Sequence, residues 1–376
     1  MGHRASREFF DEKKPWSVRK DEILAYYLAP YLPKVATLGK PIVIVDGFAG
    51  PGRFNTGEAG SPVIIAQTIQ RFLTAQPRVD CSELCVERDP LLHRLLEDSL
   101  RGFGFTRAVG TSFLEFLPEV EALASSASVF IYADPFAIDG LEWAAMDRVF
   151  RLIHGGASVE LLLNFNAPAF VRRARAALAL GDAADDPLDD DDPSQDVPGS
   201  ALDRAVGGTW WRSIVKPAGS FALEVDAVAE ELSKRLRRRF GEAGMYPIRA
   251  RLADGIPKYF LIYATRHPDG LVLINEAVCK DLHREHARRG PVQALLFEPN
   301  PQALPSSDAL LRPALLTLLR DGMTRRELQV EATRALFGQF RERQVLGEIA
   351  RLISEGRVRA VREKSRMNDR TRLFRV

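Results

Sequence analysis

The chain has 376 residues, 46% of them hydrophobic, and a formal net charge of +2. That length exceeds one typical core, so two units or one large domain with an appendage are expected, and a balance so near neutral does not by itself mark a nucleic-acid binder. No apolar run approaches the ~20 residues that cross a bilayer, and the opening MGHRASREFFDEKKP has no apolar signal core, so a cytoplasmic protein that makes no use of a membrane is expected.

Residues 16–32 repeat apolar positions at helical spacing and predict an amphipathic helix. Strands and helices then alternate. Strands are expected at 41–46, 82–87, 105–110, 128–134 and 158–166, with helices at 61–73, 89–100, after Ser112, at 141–153 and at 167–180. Strands so nearly continuously apolar are buried on both faces, which points to a doubly wound parallel α/β sheet. Cys81 and Cys85 form a C-x3-C pair beside the second strand, but no further Cys/His pair follows at finger spacing. They read as two thiols of a buried strand, and no metal site is expected.

Residues 181–200 carry eight Asp with Pro and Gly and almost nothing apolar, too little to fold alone, so an acidic mobile loop is expected. A helix at 223–241 and strands at 246–252 and 258–265 resume the sheet. A closing hairpin with one antiparallel strand is expected there by analogy with methyltransferase sheets. The larger domain is taken to span residues 1–300. The segment 305–376 reads as a second unit: a helix at 308–320, a capping box Thr324-x-x-Glu327 opening another, a third at 341–354, then two short strands. That is a winged-helix-like order. Sixteen Lys/Arg against nine Asp/Glu make this segment +7, with basic residues around the strands and Arg343 in the first turn of the third helix, where base edges would be reached. Nucleic acid and a docked protein both remain open as partners for it.

Two strand ends carry the chemistry. The first strand ends at Asp46 and runs into Gly47-Phe48-Ala49-Gly50-Pro51-Gly52. Glycines at the carboxyl end of a buried strand let backbone approach a ligand. The turn is not a dinucleotide fingerprint, because Asn55 stands where the third glycine would be and the next strand-end acid, Glu87, comes 41 residues after Asp46. The order D-x-F-x-G-x-G resembles instead the cofactor loop of amino-methyltransferases acting on nucleic acid. That resemblance implies S-adenosylmethionine, its methionine part wrapped by Asp46–Gly52 and its ribose diol held by Glu87, a carboxylate offering acceptors only. Thr111 and Ser112 stand where such enzymes often place an adenine contact. The fourth strand ends in Asp134-Pro135-Phe136, similar to the Asp/Asn-Pro-Pro-aromatic motif but one proline shorter. By that likeness the Asp134 carboxylate and Pro135 carbonyl accept the hydrogens of an exocyclic amine, and Phe136 stacks on a flipped base. Asn164 and Asn166 share one face of the fifth strand, either to hold substrate or to satisfy strand-end backbone.

The blocks DGFAGPGRF, AGSPVIIA, ADPF, LLNFN and YFLIYATRHPDGLVLINEAV resemble the three-Cys-motif partner protein family (TcmP) over roughly residues 16–285. Asp46, Ala49, Gly50, Gly52, Gly60-Ser61-Pro62 and Asp134-Pro135 are also similar to adenine amino-methyltransferases of large-subunit ribosomal RNA. These resemblances imply a Rossmann-like methyltransferase, a Lys20 facing cofactor or substrate (a solvated helix lysine being the alternative), substrate-side roles for Arg53 and Ser61, and a radical-type iron–sulfur protein as partner. A catalytically silent methyltransferase-fold protein, or an enzyme for a small molecule or peptide, remains the alternative.

Overall fold

The computed structural model describes residues 10–135, 138–180, 199–249, 255–288, 306–361 and 367–376. Phe136, nearly all of the acidic segment 181–200 and the strand tip at 362–366 therefore lie outside the described residues. The chain divides into two compact units, Met1–Arg266 and His267–Val376.

The first unit is built on a seven-stranded sheet: β1 Ile42–Asp46, β2 Cys81–Val86, β3 Thr106–Val109, β4 Ser128–Ala133, β5 Ser158–Phe165, β6 Glu242–Ile248 and β7 Tyr259–Thr265. Their order is β3-β2-β1-β4-β5-β7-β6. β1 pairs in parallel with both β2 and β4, and only β7 runs antiparallel to its neighbours. This is a Rossmann-like sheet with the closing antiparallel hairpin that the sequence reading expected. β1 and β4 are buried at every position, because helices cover both faces of a parallel sheet.

Those helices are α1 Pro15–Ala36, α2 Ser61–Ala75, α3 Pro90–Leu100, α4 Phe113–Ala124, α5 Trp143–Leu152, α6 Ala167–Leu180, α7 Gly199–Val206, α8 Trp211–Ile214 and α9 Phe221–Phe240. α7 and α8 were not expected from the sequence; both are too short to show a helical period. β6 also begins earlier than its apolar run suggests, at Glu242. Gly241, at φ +104°, ends α9 and turns the chain directly into the strand. β6 alternates buried and half-buried residues and holds Pro247, both proper to an edge strand.

The second unit contains α10 Pro268–Arg288, a π-helical turn leading into α11 Arg312–Leu318, β8 Met323–Thr324, α12 Arg325–Ala335, α13 Glu342–Ser354, β9 Val358–Val361 and β10 Arg372–Arg375. The strands form a separate antiparallel sheet in the order β8-β10-β9. β8 is the strand that the sequence reading lacks, since two residues carry no periodicity. Leu315, Leu328, Ile349, Leu352 and Leu373 form a core of this unit's own. The capping box at Thr324 and Glu327 is formed in full. No helix among the described residues is long and apolar enough to cross a membrane.

Candidate active site

The carboxyl ends of β1, β2, β4 and β5 lie side by side, because those strands are neighbours in a parallel array. Asp46 ends β1 and is fully buried. Its Oδ1 accepts the Phe48 N–H at 3.2 Å. Burial raises its pKa to about 7, against the hydrogen bonds from Ser61 and Phe48 and with help from the nearby Asp134 and Asp21 charges.

The turn after Asp46 is stitched to its neighbours. Gly47 N–H donates to Tyr132 C=O and Ala49 N–H to Val86 C=O, both at 2.9 Å. Gly50 and Gly52 have φ of +60° and +78°, the left-handed region that favours glycine. A Cβ on Gly50 would stand 2.6 Å from the Phe10 ring, and one on Gly47 would stand 2.7 Å from Phe113. Phe48 packs on Phe113 with ring centroids 5.3 Å apart.

Glu87 follows β2. Its Oε2 accepts Gly50 N–H at 3.0 Å and its Oε1 accepts Asp89 N–H at 2.7 Å. The carboxylate thus fixes the glycine turn. Since a carboxylate has about four acceptor positions, it retains capacity for a diol. Burial raises its pKa, opposed by the same two backbone donors.

Asp134, just past β4, is the hub of a polar network. Lys20 Nζ, on α1, meets Asp134 Oδ2 at 2.6 Å; the Lys20 side chain is 4% exposed and that of Asp134 26%. Tyr132 OH donates to the same oxygen at 3.3 Å, and Asn164 Nδ2 donates to Oδ1. Lys20 also lies 4.8 Å from the centre of the Tyr259 ring at the start of β7. A second buried pair, Lys13 with Asp21 at 2.6 Å, sits alongside. Burial carries Asp21 to about 6, with Lys13 and then Lys20 opposing and Asp134 reinforcing. Pro135 is buried.

The candidates separate. Asp46 with Ser61, Glu87 with Gly50, and Lys20 with Asp134 and Asn164 are brought together at one edge of the sheet. Asn166 instead caps α6, its Oδ1 accepting Ala169 N–H at 3.0 Å. Thr111 and Ser112 both donate to Glu115 Oε2 at 2.7 Å, and Ser112 is the N-cap of α4 in a complete capping box. These bonds pull Glu115 down to about 2. Arg53 is exposed and donates to Gly57 C=O within its own turn at 3.2 Å. Arg343 belongs to the second unit. The sequence reading missed Lys13, Asp21, Tyr132 and Tyr259; Asp21, an acid beside Lys20 on an apolar-periodic helix, was the one signal available.

No protein-family model matches this chain, and no curated protein matches it. Among solved structures it is similar to the CMeT domain of the citrinin polyketide synthase, at 13% identity over 61% of this chain and 47% of that one, with a TM-score of 0.31. It is also similar to cofactor-bound Rv0187 from MTB, at 15% identity over 71% and 88%, TM-score 0.34. A third is the plantazolicin methyltransferase BamL in complex with a triazolic desmethylPZN analog and SAH, at 12% identity over 70% and 91%, TM-score 0.31. The chain spans less than half the length of the first of these. Identities this low bear on the fold alone, and the fold rests on the strand order.

Proposed function

We propose that the chain is an S-adenosylmethionine-dependent methyltransferase whose acceptor is an amino group of a nucleic-acid base. The observation that carries this reading is the gathering of Asp46, the glycine turn, Glu87 and Asp134 at the carboxyl edge of a β3-β2-β1-β4-β5-β7-β6 sheet. The residues present suit the cofactor. Two glycines in the left-handed region shape a close backbone turn, and Glu87, pinned by two backbone amides, offers its remaining acceptor positions to a ribose diol. When bound, the cofactor supplies an activated methyl group on a sulfonium.

The protein's own part is positioning and electrostatics. Lys20 and Tyr132 occupy Asp134 Oδ2, and Asn164 takes one position on Oδ1. The remaining position on Oδ1, with the Pro135 carbonyl, is left to accept the hydrogens of an amine. Accepting them directs the nitrogen lone pair away from the carboxylate. Lys20 holds the carboxylate in place through their 2.6 Å ion pair.

Calorimetry with S-adenosylmethionine and its demethylated product tests the cofactor. Glu87→Ala is expected to weaken binding by about 1–3 kcal/mol, the cost of leaving hydroxyl donors unpaired; no binding by the wild type overturns the reading. Transfer of labelled methyl onto DNA, RNA and cell extract then tests the acceptor, and label found only on small molecules or peptides replaces the base. The three donors already on Asp134 favour a second reading, a silent methyltransferase-fold protein that binds nucleic acid or a radical-type iron–sulfur enzyme. Cofactor binding with no transfer to any acceptor would select it. From α11 onward, the helix–strand–helix–helix–strand–strand order of the second unit supports reading that part as a winged-helix-like module.

A further inference from the structure

Two sets of arginines in the second unit differ in their partners. On the helices and their caps, Arg312, Arg325, Arg326, Arg334, Arg341 and Arg351 each hold a carboxylate of the same unit. On the strands and the residues flanking them, Arg357, Arg359, Arg370 and Arg372 are all exposed, and among the described residues none of them forms an ion pair. Asp369, the one acid in the described part of these strands and their turn, is taken by Arg325. Glu327 feels the charge of Arg372, but its carboxylate is engaged in the capping box with Thr324.

The sheet sorts these side chains by face. Val358 and Leu373 point into the core. The alternate positions Arg359, Val361, Arg372 and Phe374 share the other face, with Arg359 opposite Phe374 and Val361 opposite Arg372. The Arg359 and Arg372 guanidiniums lie 5.5 and 5.8 Å from the centre of the half-buried Phe374 ring, and Val361 is 49% exposed. The result is a basic surface whose arginines have no ion-pair partner among the described residues, with apolar ground between its charges. α13 offers no such surface. Arg343 is exposed there, beside Glu342, and Arg351 is held by Glu355.

We propose that this strand face, carrying Arg359 and Arg372 and flanked in sequence by Arg357 and Arg370, binds the phosphate backbone of nucleic acid without reading its sequence. Uncompensated guanidiniums on a sheet match a polyanion, since each phosphate neutralised releases condensed counterions. Apolar side chains between them suit sugars and base faces. Arg343 on α13 is not the principal contact. The proposal stands apart from the cofactor reading: its test contains no cofactor and no methyl transfer, so either can fail alone.

The test titrates the full chain with a random-sequence DNA duplex and with single-stranded RNA of equal length at several salt concentrations. Wild type is expected to bind at least one of them with affinity falling steeply as salt rises. The Arg357→Ala/Arg359→Ala/Arg372→Ala variant should show a log–log slope on duplex shallower by about 2.7, at about 0.9 for each phosphate left without its arginine. Arg359→Lys/Arg372→Lys, which keeps the charge, should retain the wild-type slope. Should the triple variant fail to fold, single Arg359→Gln and Arg372→Gln decide, each expected to remove about 0.9 from the slope. The proposal is overturned if the alanine or glutamine variants bind with the wild-type slope, or if Arg343→Ala alone weakens binding. It is also overturned if wild type binds neither nucleic acid, or binds polyglutamate more tightly than both.

Discussion

Asp134 gathers three donors at the carboxyl edge of the sheet. Its partner Lys20 is almost fully buried, so deleting the acid outright would strand a buried ammonium and cost stability. Asp134→Asn is the cleaner change, because it keeps a side-chain acceptor and removes the charge. It is expected to leave cofactor affinity within about threefold and to lower methyl transfer by about 100-fold or more, the scale for removing one preorganised electrostatic contact. Calorimetry beside single-turnover transfer measures both. Asp46 sets a pH dependence. Its folded pKa of about 7 stands above the ordinary aspartate value of 3.8, so the folded state binds the proton more tightly than the unfolded chain. Stability therefore falls as pH rises from about 4 to about 7, by at most about 1.4 kcal/mol per pH unit for this group, and is flat above that window. Asp21, raised to about 6, adds a decline in the same direction. Asp46→Asn should shrink the difference in melting temperature between pH 4.5 and 7.5. An unchanged difference would show that Asp46 is ionised in the fold at low pH.

At the scale of elements, some of the candidate ligands also serve as helix caps. Ser112 opens α4 and Thr324 opens α12 in the same way, each hydroxyl accepting the N–H three residues on while the glutamate there reaches back. Ser112→Ala is expected to cost about 1 kcal/mol in a chemical or thermal melt, and Ser112→Asp to restore most of it, since Asp is an equally good cap. Cofactor affinity should change little in either variant. A loss of binding that Asp does not repair would return Ser112 to the cofactor site. Elements with a sustained period were legible. β1, β4 and β5 are long apolar runs, and α1 and α9 are amphipathic over many turns. β8, α7 and α8 were not, because two to eight residues carry too little pattern. α10 has the length, yet its residues were read only for their resemblance to a family block.

At the scale of the whole molecule, each unit has its own core. The candidate active site is made entirely from residues between Phe10 and Tyr259, all in the first unit. Leu373 is fully buried in the second core, where β10 lies between β8 and β9. Leu373→Ala is expected to destabilise the second unit by about 2–5 kcal/mol and to leave S-adenosylmethionine affinity unchanged. Scanning calorimetry paired with isothermal titration checks this, and a fall in cofactor affinity would show that the site depends on the second core.

The sequence by itself determined the sheet and the ends of its strands. Burial on both faces imposes continuous apolar runs, and a glycine turn after Asp46 or a proline after Asp134 is a local mark of where a strand stops. Strand order and the antiparallel β7 followed only by analogy, since pairing is a choice among distant segments. Tertiary structure alone decided which polar side chains meet. Lys20 and Asp134 are 114 residues apart in sequence, and no period links them. It also decided that Asn164 faces Asp134 while Asn166 caps a helix, and which arginines carry uncompensated charge. Each depends on the partner a buried or charged group finds. A lone acid, amide or guanidinium has the same formula whether it caps, pairs or binds, and only the surrounding fold distinguishes them.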